Sequence, residues 1–227
     1  MPLPPLFSAL PSDFASRFDP TRPWELLGEP LDEVLGELPG ERIEVRLSPE
    51  VHLSGERIVV GPGCRIAPGA TLEGPLRLGR DVVVRPGAFV RGGVWVGDGC
   101  LIGANTEIKR AILLPGARAP HLAYVGDSLL GSGVNLGAGT VLSNFRHDGG
   151  EIALEFDGVR FSTERSKLGD ILGDEVKTVC NTVLNPGVVV GRRTLLYPGV
   201  VLRSGVYPAD SIVKLTQQTT RVDRRPD

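Results

Sequence analysis

From Val60 onward an aliphatic residue returns every six positions: Val60, Ile66, Leu72, Leu78, Val84, Val90, Val96, Ile102, Ile108 and Leu114. Ten in succession is not chance in a chain that is 41% hydrophobic. Four residues after each sits a mostly small or branched residue: Cys64, Ala70, Leu76, Val82, Ala88, Val94, Cys100, Thr106 and Ile112. The frame restarts at Leu130, Leu136 and Leu142, and again at Leu172, Thr178, Leu184, Val190, Leu196 and Leu202. In that last stretch Val176, Thr182, Val188, Thr194, Val200 and Val206 hold the second position. A period of six allows one short strand and one turn, and three such units close a triangular coil of about 18 residues. The aliphatic fills the bore, and the small residue sits beside it where the corner narrows. Gly61-Pro62-Gly63, Pro86-Gly87, Gly97-Asp98-Gly99, Pro186-Gly187 and Pro198-Gly199 supply the turns. The expected fold is all-β, a parallel β-helix of about seven coils over residues 43–213.

Two stretches break the period. Residues 1–42 read as an N-terminal helical cap, with short helices over residues 13–18 and 24–38, Pro30 restarting the second and Gly40 ending it. A cap over the open first coil is expected, because a bare terminal coil offers an edge for pairing. Trp24 is expected in its core. Residues 146–166 read as an inserted β-hairpin: Glu151–Phe156 and Val159–Phe161 alternate apolar and polar residues around Asp157-Gly158. A hairpin extruded from a β-helix wall is expected to serve an active site or a subunit contact. Residues 214–227 read as a loose polar tail.

Composition closes off several classes. A net charge of −2 with scattered Lys and Arg leaves no nucleic-acid stripe. There is no signal-peptide pattern and no apolar run long enough for a bilayer. The cysteines Cys64, Cys100 and Cys180 are far apart and odd in number. That argues for a reducing cytoplasm and for buried, inert packing thiols. The histidines His52, His121 and His147 lack ligand spacing, so a hexapeptide-type zinc hydratase is disfavoured and no metal is expected.

The densest polar cluster lies where the period slips: His121-Leu-Ala-Tyr-Val-Gly-Asp127, Val134-Asn-Leu-Gly-Ala-Gly-Thr140, then Ser143-Asn144-Phe145. Upstream, Glu107 and Lys109 occupy alternate positions of one strand face. Arg91 precedes Lys109 by one coil, and Glu107 precedes Tyr124 by nearly one, so these side chains should stack on one wall. The wall then holds a candidate base, a carboxylate to orient it, and several cations. That set suits a neutral nucleophile carried on an anionic substrate.

These motifs resemble the acetyltransferase half of the bifunctional N-acetylglucosamine-1-phosphate uridyltransferase/glucosamine-1-phosphate acetyltransferases. That family shows His-Leu-x-Tyr-[Ile/Leu]-Gly-Asp, Asn-Ile-Gly-Ala-Gly-Thr, and an upstream Glu-x-Lys. The Asn144-Phe-Arg-His-Asp-Gly149 run and the hairpin resemble the archaeal-type sugar-1-phosphate nucleotidylyltransferase/acetyltransferases more closely. The resemblance covers roughly residues 60–213. It implies a left-handed coil, against the usual right-handed crossover. It also implies an acetyl-CoA-dependent transferase acting on an amino-sugar 1-phosphate, in nucleotide-sugar synthesis.

Position by position, the resemblance implies that His121 is the general base and that Glu107 orients it. Arg91, Lys109, Tyr124 and Lys167 would hold the sugar phosphate, with Arg85 competing with Arg91. Asn135 and Asn144 would contact the amino sugar or acyl group. Ala138, Cys180 and Pro198 would line an acetyl-CoA groove between two subunits of a homotrimer, whose flat walls bury well against copies. Backbone N–H groups of the Gly-Ala-Gly turn would receive the oxyanion. Phe145 replaces the family's Tyr, Cys180 its Ser, and residues 150–153 lack the archaeal-type lysines. No Leu-Ala-Ala-Gly-x-Gly-Thr loop occurs, so the nucleotidyltransferase half is not expected in this sequence, and whether a separate chain supplies it stays open. Two other readings stand beside this one: a sugar or serine O-acetyltransferase, and a non-catalytic trimeric scaffold.

Overall fold

The computed structural model describes residues 5–156 and 158–221. Asp157 of the expected turn and residues 222–227 of the expected tail lie outside them. The chain winds into a left-handed parallel β-helix. One wall is a nine-stranded sheet and a second an eight-stranded sheet, so the prism is longer than seven coils. The third wall is split into four and three strands, and Asn135 bridges the gap by pairing with Arg118 and Lys177.

Strand partners lie one coil apart, as the period requires: Val59 pairs with Arg77, Phe89 with Glu107, and Val83 with Leu101. The bore residues Val60, Leu72, Leu78, Val84, Val90, Val96, Ile102 and Ile108 are 0–1% exposed. Each contributes about 1.5–3 kcal/mol of burial. Cys64 and Cys100 are buried among them, whereas Cys180 is exposed, which corrects the expectation of three buried thiols.

The period shifts at one corner. Two residues, Gly92 and Gly93, turn one coil, and Arg110 alone, at φ 44°, turns the next. Leu113 rather than Leu114 therefore pairs with Val96 in the bore. One residue of slip moves a side chain to the opposite face, and Leu114 lies buried on the outside of the prism. Val206 likewise packs outside.

What covers that outer face is the main departure from expectation. Short helices at Ser12–Ala15 and Glu29–Gly36 flank a 3₁₀ turn at Pro23–Leu27. Their buried residues Phe14, Trp24, Leu26, Leu27, Leu31 and Leu35 join Trp95, Ile112, Leu114, Leu129, Ile171 and Val189 in one cluster. The N-terminal segment is thus a strap along the nine-stranded wall, not a lid over the first coil. The physical reason is the wall itself, whose outward positions are apolar and need cover. Trp95 meets Phe14 edge-on at 5.2 Å and donates Nε1–H to Asp13 at 3.0 Å. At the far end Ser8 donates N–H and O–H to buried Asp174, both at 2.6 Å.

The hairpin is present as Ile152–Phe156 and Val159–Arg165. Its Ile152 and Leu154 are buried in the same outer cluster, and Arg165 reaches Glu25 of the strap at 3.4 Å. Its apolar side therefore packs on the chain's own wall, a contact that the expected active-site or subunit-contact role did not include. No helix among the described residues is long and apolar enough to cross a membrane.

Candidate active site

Two lines of residues meet near one edge of the prism. The first is a corner. The strand Arg118–His121 ends the upper part of the third wall, and Ala104 pairs with His121. From there a ladder of backbone bonds climbs the corner. The carbonyl of His121 accepts the Gly139 N–H, that of Ala138 the Asn181 N–H, and that of Cys180 the Gly199 N–H. His121, Ala138, Cys180 and Pro198 thus occupy equivalent corner positions on successive coils. His121 and Cys180 are both exposed.

The next position in each coil turns left-handed: Asn105, Leu122, Gly139, Asn181 and Gly199 have φ between 50° and 73°. Glycine and Asn tolerate that conformation, but Leu122, at φ 50° and 60% exposed, does not. Left-handed backbone costs an ordinary residue roughly 1–2 kcal/mol. The strained residue directly follows the imidazole.

The second line is the adjoining eight-stranded wall. Phe89, Glu107, Tyr124 and Val141 stack on it in register. Arg91 Nη1 donates to Glu107 Oε1 at 3.0 Å and lies 5.9 Å from the Phe89 ring. Lys109 Nζ meets Asp127 Oδ2 at 3.1 Å, and Asn144 Nδ2 donates to the same oxygen at 2.5 Å. Tyr124 OH donates to Asn144 Oδ1 at 3.3 Å. Burial first, then the nearby carboxylates of Glu107 and Asp127, push the Tyr124 phenol above its ordinary pKa. The phenol therefore stays protonated and a donor.

Four residues expected to stack on one wall, Arg91, Glu107, Lys109 and Tyr124, are together, and Asn144 joins them; His121, expected on the same wall, instead ends the third-wall strand, and the pairing of the charges also differs from expectation. The Glu107 carboxylate is held by Arg91, and no hydrogen bond joins it to His121 among the described residues. The cations are not free: Arg91 and Lys109 each face a carboxylate. Asn135 stands apart on the third wall, half-buried. Lys167 enters through its backbone, which pairs with Phe145, while its side chain is exposed. Arg85 follows the third-wall strand Val83–Val84, leaving Arg91 as the residue bound to Glu107.

Around the Gly-Ala-Gly turn, Gly137 N–H donates to Thr178 Oγ1 at 2.9 Å and Gly139 N–H to His121 O at 3.3 Å. That leaves Ala138 N–H as the turn's open donor among the described residues. Among the same residues no group of three or more His, Cys, Asp or Glu is arranged to hold a metal. The sequence marks Asp127 only as the last residue of its motif and gives it no role, whereas the structure joins it to Lys109 and Asn144. Spacing alone hid it: Lys109 pairs with Gly126, and Asp127 is the turn residue one position further on, equivalent to Arg110.

A cleft of about 310 Å³ opens just beyond Asn144, lined by Ser143, Phe145, Arg146, His147, Asn185 and Ser204, among others. Ser143 and Phe145 flank Asn144 in sequence, so the cleft continues the polar wall.

The family described as bacterial transferase hexapeptide (six repeats) matches residues 75–110. That match marks hexapeptide repeats of the transferase type in this stretch of the wall. The chain is 42% identical over 105 residues to the bifunctional sugar-1-phosphate nucleotidylyltransferase/acetyltransferase of Sulfurisphaera tokodaii, covering 46% of this chain and 26% of that protein. It is 31% identical over 193 residues to the bifunctional protein GlmU of Synechococcus sp. (strain CC9311), covering 78% and 38%. The chain spans between a quarter and two fifths of the length of such relatives. Among solved structures, PerB from Caulobacter crescentus in complex with CoA and GDP-perosamine is similar at 21% identity and TM-score 0.39, covering 66% of this chain and 52% of that one.

Proposed function

We propose that this chain is an acetyl-CoA-dependent N-acetyltransferase whose acceptor is an amino-sugar 1-phosphate, with His121 as general base. The observation that carries the reading is the meeting of the two lines: an exposed imidazole at the corner, beside a wall of Arg91, Glu107, Lys109, Tyr124, Asp127 and Asn144. In this reading the acyl donor runs along the corner past Ala138, Cys180 and Pro198. The acceptor lies on the polar wall, its anionic end toward Arg91, Lys109 and Lys167, and Asn135 closes the site from the third wall. A second copy of the chain, in a homotrimer, covers the donor from outside.

The chemistry follows from proton inventory. An amine that is an ammonium in water must lose a proton before it attacks a thioester. Imidazole is the side chain that titrates closest to neutral pH, and His121 would take that proton. The nitrogen then bonds to the thioester carbon and the carbonyl becomes an oxyanion. Ala138 N–H is the turn's open donor for it. Collapse expels CoA thiolate, the nitrogen sheds its second proton to that thiolate, and His121 returns the first to solvent. The exposed, strained Leu122 supports the reading, because strain tends to gather at functional sites.

The test is a thiol-release assay with acetyl-CoA against glucosamine 1-phosphate, galactosamine 1-phosphate and unphosphorylated glucosamine. His121→Ala should lower kcat by roughly 10² to 10⁴, the usual worth of a general base, with circular dichroism unchanged. No release with any amino sugar, or an unimpaired His121→Ala variant, overturns the reading. One observation favours a second reading. Because both wall cations are paired, an uncharged acceptor, acetylated on oxygen, also fits the wall. Turnover of a hydroxyl acceptor and none of the amines selects it.

A further inference from the structure

Asp127 joins Lys109 and Asn144 on the polar wall, and neither His121 nor Cys180 is a side-chain partner of it among the described residues. Its side chain is 8% exposed. Both of its side-chain partners meet one oxygen, Oδ2: Lys109 Nζ at 3.1 Å and Asn144 Nδ2 at 2.5 Å. Its backbone is held from two sides. The N–H donates to Lys109 O at 2.9 Å, and the carbonyl accepts Gly169 N–H at 2.8 Å. Its φ of 45° puts it in the left-handed region, which Asp tolerates better than most residues.

Two consequences follow from this geometry. A carboxylate only accepts, so it fixes which end of the Asn144 amide faces it. The NH₂ end must turn to Asp127, leaving Oδ1 to accept from Tyr124 OH. The phenol is thereby committed to donating, and its oxygen keeps lone pairs for a substrate donor. Gly126 makes this cluster possible, since a Cβ there would lie 2.7 Å from both Asn144 Nδ2 and Tyr124 Oη. The second consequence is charge, because a partly buried carboxylate offsets the Lys109 ammonium that would otherwise face an anionic acceptor.

We infer that Asp127 is a positioning and specificity-determining residue of the acceptor site, orienting Asn144 and Tyr124 and limiting the charge that Lys109 offers an anionic group. This rests on the acetyltransferase reading above. It assigns Asp127 no contact with substrate. Its effect passes through its two partners.

The test is the isosteric Asp127→Asn variant, compared with wild type in two assays. In turnover with acetyl-CoA, KM for glucosamine 1-phosphate should fall about threefold, the size of one partly exposed charge pair. At the same time kcat should fall about tenfold, from loss of a charge-assisted bond to Asn144. KM for unphosphorylated glucosamine should not fall. Asp127→Glu, which keeps the charge, should restore the wild-type ratio of the two KM values.

A structural role alone would instead worsen kcat and KM together, for both acceptors and in step with Tm, and that result overturns the inference. The second assay needs no turnover: inorganic phosphate should raise the Tm of Asp127→Asn more than that of wild type, and not that of Lys109→Met/Asp127→Asn. If wild type turns over no amino sugar, the functional reading fails, and the phosphate assay alone decides whether Asp127 restrains Lys109. No gain in phosphate response then refutes it.

Discussion

Leu31→Ala tests whether the N-terminal segment straps the wall, because both tryptophans report on that seam. Trp24 and Trp95 are the chain's two tryptophans, 1% and 2% exposed, in one cluster with Leu31. Leu31 is 0% exposed, so truncation forfeits full burial and leaves a cavity, costing about 2–5 kcal/mol. In a domain of this size each kcal/mol moves Tm by about 2–4 °C, so a fall of about 4–20 °C is expected. Asp32, the next residue, binds Arg110 with both oxygens, at 3.0 and 2.8 Å. Loosening the helix therefore also frees the corner beside Lys109. Tryptophan emission during urea titration should shift to longer wavelength before the far-ultraviolet β signal is lost, since the bore residues make a separate cluster. A segment lying over the first coil instead would leave Trp95 indifferent to Leu31. Unshifted emission with a Tm change below about 1 °C would refute the reasoning.

Two further outcomes follow from buried groups. Asp170 is 0% exposed, its Oδ1 accepts Val188 N–H at 3.1 Å, and its Oδ2 has no partner among the described residues. Burial outweighs that N–H and holds its pKa well above the ordinary carboxyl value. The native state then retains a proton that the unfolded chain releases near pH 4. The Asp170 contribution to stability falls as pH rises from there, and it levels off above the native pKa. Asp170→Asn should accordingly gain stability over wild type at pH 8 and not at pH 4 in urea denaturation; an equal effect at both would contradict this.

The thiols make the second case. Burial pushes Cys100 up to about 12 and raises Cys64, while Cys180 is exposed. An aromatic disulfide reagent should titrate one thiol in the native chain, mapped to Cys180 by peptide mass, and all three only in denaturant. Acetyl-CoA should slow labelling if the donor passes along that corner.

Much of the site was legible because the coil has a fixed period. Arg91 and Lys109 are spaced by a single coil, Glu107 and Tyr124 pair in adjacent strands, and Asp127 directly follows Gly126, the register partner of Lys109. Spacing says which side chains stack, but not which oppositely charged neighbours bind. Glu107 was within reach of several cations, and Arg91 took it. Asn135 and Asn144 looked equivalent as motif residues, yet they sit on different walls, because position within the coil and not sequence distance sets the wall.

The sequence by itself determined the prism: alternation within a six-residue period decides which side chains face the bore, and that is a local property of each strand and turn. Only the tertiary structure decided what covers the outside. Trp95, Leu129 and Ile171 are outward residues that the period cannot distinguish from solvent-facing ones, and Ile112, which the period places inward, is turned outward by the one-residue slip at Arg110. They are buried because residues far away in the chain, Phe14, Trp24 and Leu31 on one side and Ile152 and Leu154 on the other, have apolar faces of their own to bury. That match depends on contacts between segments outside the repeat and the wall, such as Phe14 with Trp95, which the period does not record.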